Sequence, residues 1–359
     1  MSATSPEPAV IAEAALVLSR GGLVAFPTET VYGLGARGLH AADVRRIFAA
    51  KQRPTGHPLI LHVDGEAMAR TLTTSWPERA SLLAAAFWPG PLTLVVARAS
   101  HVPDVVSGGL HSVGVRAPQH PVALALIRAV GEPLAAPSAN AHTHVSPTTA
   151  AHVVRSLGDR VDLVLDAGPC AHGIESTVVD VTTDPPRVLR AGAASLEAIR
   201  AVVPEIVYDA ISLTGDAARA SPGLAAKHYA PRTRVVLVDP GPSVVNEVLG
   251  FASAASAASA AAAASAASAA AAASPSPRLG AIVWSEAARL DLEAALRDGR
   301  LALATFTALP PDAAAYGQAI FAALHDADAA GLDALFIERV PEAPEWWAVA
   351  DRLRRAAEA

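Results

Sequence analysis

The chain has 359 residues, 52% of them hydrophobic but only 4% aromatic, and its 28 Lys and Arg against 34 Asp and Glu give a formal net charge of −6. That length suits two domains, each with its own core, and the negative balance argues against coating nucleic acid by charge, so a nucleotide site here must rest on local cations. The one cysteine, Cys170, excludes an internal disulfide framework or a cysteine-cluster zinc site and reads as a small buried hydrophobe.

Residues 1–8 show no basic stretch leading into an apolar one, so we expect a disordered N-terminus, no membrane insertion and a cytoplasmic protein. From residue 9 apolar runs alternate with helical patterns, which predicts an α/β domain over 9–217. Strands are predicted at 23–26 (LVAF), 58–63 (PLILHV), 92–97 (LTLVVA), 113–117 (VGVRA), 161–166 (VDLVLD), 177–182 (TVVDVT) and 187–192 (RVLRAG), and helices around 11–19, 41–50, 77–87, 121–130 and 147–157. Only a short turn containing Asp184, Pro185 and Pro186 separates the last two strands. No crossover helix fits there, so a hairpin and a mixed sheet are expected. Ser146 followed by Pro147 reads as a helix start, with a capping hydroxyl and proline at the first helical position.

Residues 218–233, which include SPGLAAKHYAP, read as an interdomain linker because Pro and Gly discourage regular structure. Beyond it VVLVD, AIVWS, ALFIERV and a terminal helical pattern predict a smaller Rossmann-like domain over 234–359. No GxGxxG follows a strand there, so no dinucleotide is assigned. The Ala/Ser tract at 252–277 favours helix but has nothing large to pack. A mobile insertion or frayed helix is expected, too weakly apolar to span a membrane.

Several stretches carry candidate chemistry. FPTETVYGLG (26–35) leaves a strand for a turn dense in hydroxyls, with glycines available for positive φ. Lys51 and Arg53 flank Gln52 at a predicted helix end, where they either complement the negative helix terminus or clamp a phosphate. His62, inside an apolar strand, reads as a hydrogen-bonded core histidine. Arg116, in VGVRAP, either faces outward or is buried against an anion, and a ligand carboxylate held by two parallel hydrogen bonds is a good candidate. APSAN (136–140) puts Ser138 and Asn140 at a strand end just before the Ser146 helix start, whose free amides also favour anions. GIESTVVDV brings Ser176 to the start of a strand and VLRAG brings Arg190 to the end of its neighbour. With no G-x-S-x-G, H-E-x-x-H, Walker A or Cys/His pair, the toolkit is hydroxyls, amides and cations, which suits aligning an amino acid with a nucleotide.

Taken in order, PTETVYGLG, KQRPTGHPLILH, PGPLTLV, VGVRAP, APSAN, IESTVVD and VLRAG resemble the YrdC family, specifically its long two-domain L-threonylcarbamoyladenylate synthases. The linker and Rossmann-like tail are similar to that long form. The resemblance implies a twisted mixed sheet with a basic concave pocket, followed by the smaller α/β domain. It implies a nucleotidyltransferase that condenses L-threonine, bicarbonate or carbon dioxide, and ATP into L-threonylcarbamoyladenylate and pyrophosphate, for a downstream tRNA threonylcarbamoyl-transferase complex. Thr30, His62, Arg116, the backbone at Ala136 and Ser176 would surround threonine, with Arg116 on its carboxylate. Lys51, Arg53, His57, Ser112, Ser138, Asn140, Ser146 and Arg190 would line the ATP side, with Lys51 and Arg53 catalytic by electrostatics and Tyr229 folding over the nucleotide. The family often carries asparagine where this chain has His57.

No acidic cluster reads as a magnesium cage, so Mg2+ is expected to ride on the triphosphate, with no metal site of the protein's own. A weak contact with tRNA or double-stranded RNA is a further expectation. The alternative reading, a double-stranded RNA-binding module without catalysis, needs a basic surface and a steep salt dependence of binding. A hydrogenase-maturation protein shares a YrdC-like module but carries cysteine-rich zinc fingers, for which one cysteine gives no support.

Overall fold

Alternation along the strands decides which side chains meet the core and which meet the site. The computed structural model describes residues 7–208, 229–241, 243–265 and 276–357. The chain divides into two compact units, Met1–Tyr229 and Ala230–Ala359. Residues 1–6, linker residues 218–228 and positions 266–275 of the Ala/Ser tract lie outside the described residues.

In the first unit the strands are β1 (Val24–Phe26), β2 (Gly33–Arg37), β3 (Ile60–His62), β4 (Thr73–Ser75), β5 (Leu92–Arg98), β6 (Ser112–Arg116), β7 (Leu134–Ala135), β8 (Leu163–Val164), β9 (Thr177–Asp180), β10 (Arg187–Arg190) and β11 (Val207–Tyr208). They form one sheet in the order β11-β10-β9-β5-β6-β3-β7-β2-β1-β8, with β4 on β5. The sheet is mixed as expected: β9 and β10 pair antiparallel, whereas β3 and β6, and β5 and β9, pair parallel. The helices are α1 (Pro8–Ser19), α2 (Ala41–Lys51), α3 (Glu66–Thr71), α4 (Glu78–Phe87), α5 (Asp104–Ser107), α6 (Pro121–Val130), α7 (Ala150–Leu157) and α8 (Leu196–Val202).

Side chains alternate across a strand. Leu59, Leu61 and Val63 around β3, Leu92, Leu94 and Val96 on β5, and Val113 and Val115 on β6 all enter the main core. Ile60, His62, Thr93, Gly114 and Arg116 are left for the other face. The register pairs Ile60 with Gly114 and His62 with Arg116, so the strands present a histidine and an arginine side by side.

Three local expectations are corrected. The glycines of VYGLG do not make a positive-φ turn: Gly33–Arg37 is a strand antiparallel to β1. A Cβ on Gly35 would sit 2.7 Å from Phe26 Cε1, so glycine is needed there for close approach. Ser146 does not cap a helix. Helix α7 starts at Ala150, and Thr149 caps it by accepting from His152 N at 3.3 Å. Pro8 lies inside α1 at its first turn, so the helix starts before the predicted residue 11.

Helix α2 ends where Gln52 takes a left-handed φ of 54°. Gln52 N donates to Ala49 O and Arg53 N to Phe48 O, the paired bonds that reverse a chain at a helix C-terminus. This turn carries Lys51 and Arg53 back toward the sheet instead of into solvent.

The second unit has β12 (Arg234–Val238), β13 (Leu279–Val283), β14 (Thr305–Ala308) and β15 (Ala334–Glu338), all parallel in the order β12-β15-β13-β14. Its helices are α9 (Ser243–Ser265), α10 (Glu286–Arg297), α11 (Ala313–Ala329) and α12 (Trp347–Ala357). This is the Rossmann-like pattern expected, with β14 as an unpredicted fourth strand. Val244, Val245 and Val248 anchor α9 in the core, and the helix continues into the Ala/Ser tract as far as Ser265. Among the described residues no helix is long and apolar enough to cross a membrane.

Candidate active site

On the face of the first sheet opposite its main core lies a cavity of about 550 Å³, counting its open mouth. Five stretches far apart in sequence build its wall: Thr28 to Gly33 after β1, Ile60 and His62 on β3, Arg116 on β6, Ala136 to Ser138 after β7, and Glu175, Ser176 and Arg190 around β9 and β10. Arg53 and Tyr229 complete it.

Arg116 is 4% exposed, and three oxygens surround its guanidinium. Nη2 donates to Glu29 Oε1 at 2.6 Å, Nη1 to Thr30 Oγ1 at 2.9 Å and Nε to Gly90 O at 3.1 Å. The protein anion that its burial demands is therefore Glu29, whose second oxygen accepts from Gln119 N at 3.0 Å. Burial alone would raise the Glu29 carboxyl, but the charge and hydrogen bond of Arg116 outweigh it and hold the group below the ordinary carboxylate range. Thr30 is fixed in turn by Thr28, Oγ1 to Oγ1, at 2.8 Å.

His62 is buried and lines the cavity, and its Nδ1 makes no hydrogen bond within the protein. Burial, then the positive charge of Arg116, pushes it down to about 3, so at neutral pH it is an uncharged imidazole whose Nδ1 is itself buried.

Arg190 donates through Nη2 to Ser176 O at 2.9 Å and to Ser176 Oγ at 3.2 Å. Ser176 Oγ also bonds Thr93 Oγ1 at 2.8 Å. Ser146, fully buried, donates its hydroxyl to Glu175 Oε1 at 2.6 Å. That interaction replaces the cap the sequence suggested.

Arg53 donates Nη2 to Pro58 O at 3.0 Å, while its buried Nε has no partner within the protein. Burial lowers it to about 10, which still leaves it cationic at neutral pH. Lys51 is 2% exposed, and its Nζ donates to the carbonyls of Ser138 and Asn140. Burial first, then the charges of Arg53 and Arg160, push its ammonium well below its usual value. Lys51 thus fixes the APSAN turn from behind and is not itself on the cavity wall. Cys170 offers no nucleophile, because burial pushes its thiol up to about 12.

Residues 16–192 match the family model Sua5_yciO_yrdC, described as telomere recombination, and residues 194–358 match Sua5_C, described as threonylcarbamoyl-AMP synthase, C-terminal domain. A threonylcarbamoyl-AMP synthase of Pyrococcus abyssi (strain GE5 / Orsay) is 46% identical over 228 residues, 63% of this chain and 67% of the relative. The chain belongs to the Sua5/YrdC family. A threonylcarbamoyl-AMP synthase of Bacillus subtilis (strain 168) is 41% identical over 240 residues, 67% of this chain and 69% of the relative. The crystal structure of P. abyssi Sua5 complexed with L-threonine matches with a TM-score of 0.84 at 36% identity, covering 98% of this chain and 95% of that one.

In this Sua5/YrdC chain the cavity wall gathers Thr30, Arg53, His62, Arg116, Ala136, Ser138, Ser176, Arg190 and Tyr229. Tyr229 is buried, with a left-handed φ of 60°. Lys51, Asn140 and Ser146 stand behind the wall, in contact with residues that form it or with the turn that carries them. His57 stacks edge-on against His142, with centroids 5.5 Å apart. Ser112 opens β6 on the same face as Arg116 but four residues upstream, level with Pro58 if the β3–β6 register is continued. Glu29, Glu175 and Thr93 were not singled out in the sequence. Glu29 sits inside the PTETVYGLG motif, yet no spacing rule joins it to an arginine 87 residues away.

Proposed function

We propose that this chain condenses L-threonine, bicarbonate or carbon dioxide, and ATP into L-threonylcarbamoyladenylate and pyrophosphate. The observation that carries the reading is the convergence of Arg53, Arg116 and Arg190, from three separate stretches, on one cavity that is also lined by a neutral His62. The threonylcarbamoyl-AMP synthase relatives and the threonine-bound P. abyssi structure support it.

Arg116 spends three of its five N–H donors on Glu29, Thr30 and Gly90, and the others are available to a threonine carboxylate. His62 Nδ1, Thr30 and Ser176 meet the rest of the amino acid. The free threonine amine adds through its nitrogen lone pair to carbon dioxide, which bicarbonate yields by taking up a proton and losing water, and the nitrogen gives up one proton to solvent to leave a carbamate. A carbamate oxygen then attacks the α-phosphorus of ATP, the bond to the β-phosphate oxygen breaks, and pyrophosphate leaves with its electron pair. Charge develops on the phosphoryl oxygens, where Arg53 and Arg190 stabilise it without a covalent enzyme intermediate.

Lys51 acts through the Ser138–Asn140 turn that it holds, and Tyr229 closes the nucleotide side. The wall's one lining carboxylate, Glu175, accepts from Ser146, and among the described residues no His, Cys, Asp and Glu cluster could hold a metal. A magnesium ion therefore fits best as a passenger on the triphosphate, where it supplies charge neutralisation. The nucleotidyltransferase class, a cytoplasmic setting and delivery of the product to a tRNA threonylcarbamoyl-transferase belong to the same proposal.

Purified protein given magnesium ATP should release pyrophosphate only when both L-threonine and bicarbonate are present. Release that ignores threonine, or no release, would contradict the reading.

A further inference from the structure

Thr93 stands on β5, between β9 and β6. Its neighbours Leu92 and Leu94 enter the main core, so alternation puts Thr93 on the opposite face, the one that carries the cavity. It is fully buried. A β-branched side chain is stiff at χ1, and the Thr93 methyl is seated against β6, where a Cβ on Gly114 would sit 3.3 Å from Thr93 Cγ2. With the methyl there, the hydroxyl reaches Ser176 Oγ at 2.8 Å. Among the described residues, that is the one hydrogen bond of the Thr93 hydroxyl.

Counting donors fixes the direction of that bond. A hydroxyl has one proton and two lone pairs, and a guanidinium only donates. Arg190 Nη2 donates to Ser176 Oγ at 3.2 Å, which takes one of the serine's lone pairs. If Ser176 gave its proton to Thr93, the Thr93 proton would be left without an acceptor in a fully buried place, which is costly. If Thr93 gives its proton to Ser176, both Ser176 lone pairs are filled. The group then left over is the Ser176 proton, on a residue that lines the cavity. We propose that Thr93 is a positioning residue of this site: its donated bond fixes Ser176 as a hydrogen-bond donor to the cavity. There Ser176 takes an oxygen of the bound amino acid and has no lone pair left for its ammonium. Accepting two bonds also polarises the Ser176 hydroxyl and strengthens the bond it donates. This rests on the reading of Ser176 as threonine-facing and adds to it a residue that acts from behind the wall.

The test is a double-mutant cycle read by calorimetric titration of L-threonine into the full-length protein, with Thr93→Val, Ser176→Ala, the two combined, and Thr93→Ser. Valine keeps the shape of Thr93 and removes its hydroxyl. Thr93→Val should weaken threonine binding by roughly three- to tenfold, the worth of one neutral hydrogen bond. The same change should weaken it by less than about twofold when Ser176 is already alanine, because Thr93 acts through that hydroxyl. Thr93→Ser loses the packing methyl but keeps the proton, and should bind threonine within about twofold of wild type. Circular dichroism checks that each variant is folded, and Thr93→Ala replaces Thr93→Val in the cycle if the valine variant is not. Unchanged affinity without the Thr93 hydroxyl, an equal loss in both backgrounds, or a serine variant as weak as the hydroxyl-free one would overturn the proposal. If wild type then still bound threonine and released threonine-dependent pyrophosphate, the proposed activity would stand without it. A wild type that bound no threonine would overturn both.

Discussion

Arg116 has three acceptors around its guanidinium, and one of them, Glu29, carries a charge. The sequence made the need for an anion legible, because a buried arginine in a strand is costly alone. It did not identify the anion, since the partner is fixed by the tertiary meeting of β6 with the loop after β1. Changing Arg116 to Ala removes the ligand contact proposed above and strands a buried carboxylate. Threonine affinity should fall by roughly 30-fold or more, in line with about 2–5 kcal/mol for truncating a buried charge pair, while ATP affinity moves by a few-fold. Equal threonine affinity would remove Arg116 from the amino-acid side.

Glu29→Gln keeps the shape of the partner but not its charge, and should lower unfolding free energy at pH 7 by about 3 kcal/mol. The Glu29 value is depressed in the folded state. Its contribution is therefore present above the unfolded carboxylate value, about 4.3, and disappears as pH falls through the folded value. Denaturant titrations should show the wild-type and Gln variants converging below about pH 4. A gap that stays constant in acid would mean that charge is not what Glu29 supplies.

Among the elements, the run SPTTA (146–150) offers three hydroxyl residues in front of a helix, and a local capping rule cannot choose among them. Glu175 decides the matter by taking the Ser146 hydroxyl, which leaves Thr149 to cap α7. Thr149→Ala should cost about 1 kcal/mol in stability. Ser146→Ala should leave helix content by circular dichroism unchanged while weakening ligand binding at the Glu175 wall. The reverse pattern would restore Ser146 as the cap. Strand β2 was read as a turn because its glycines satisfy either description. Gly35→Ala places a Cβ 2.7 Å from Phe26 Cε1 and should cost about 1–3 kcal/mol by overpacking, read as a lower urea midpoint.

Across the whole molecule, the period-two pattern of the strands was readable in sequence, and it already divides a core face from a polar one. The register between strands far apart was not readable, and it is what puts His62 beside Arg116 and brings Arg190 onto Ser176. The net charge of −6 likewise hides the local cluster of arginines. Bound threonine should slow amide hydrogen exchange around Thr30, His62, Arg116 and Ser176 in the first unit. Slowing confined to residues 230–359 would place the ligand elsewhere.

The central claim is that one cavity holds threonine and the triphosphate side by side. Titrating L-threonine into the protein with and without a saturating non-hydrolysable ATP analogue tests it most directly. One threonine should bind per chain in both cases, with affinity equal or higher when the analogue is present. Displacement of threonine by the nucleotide would contradict it.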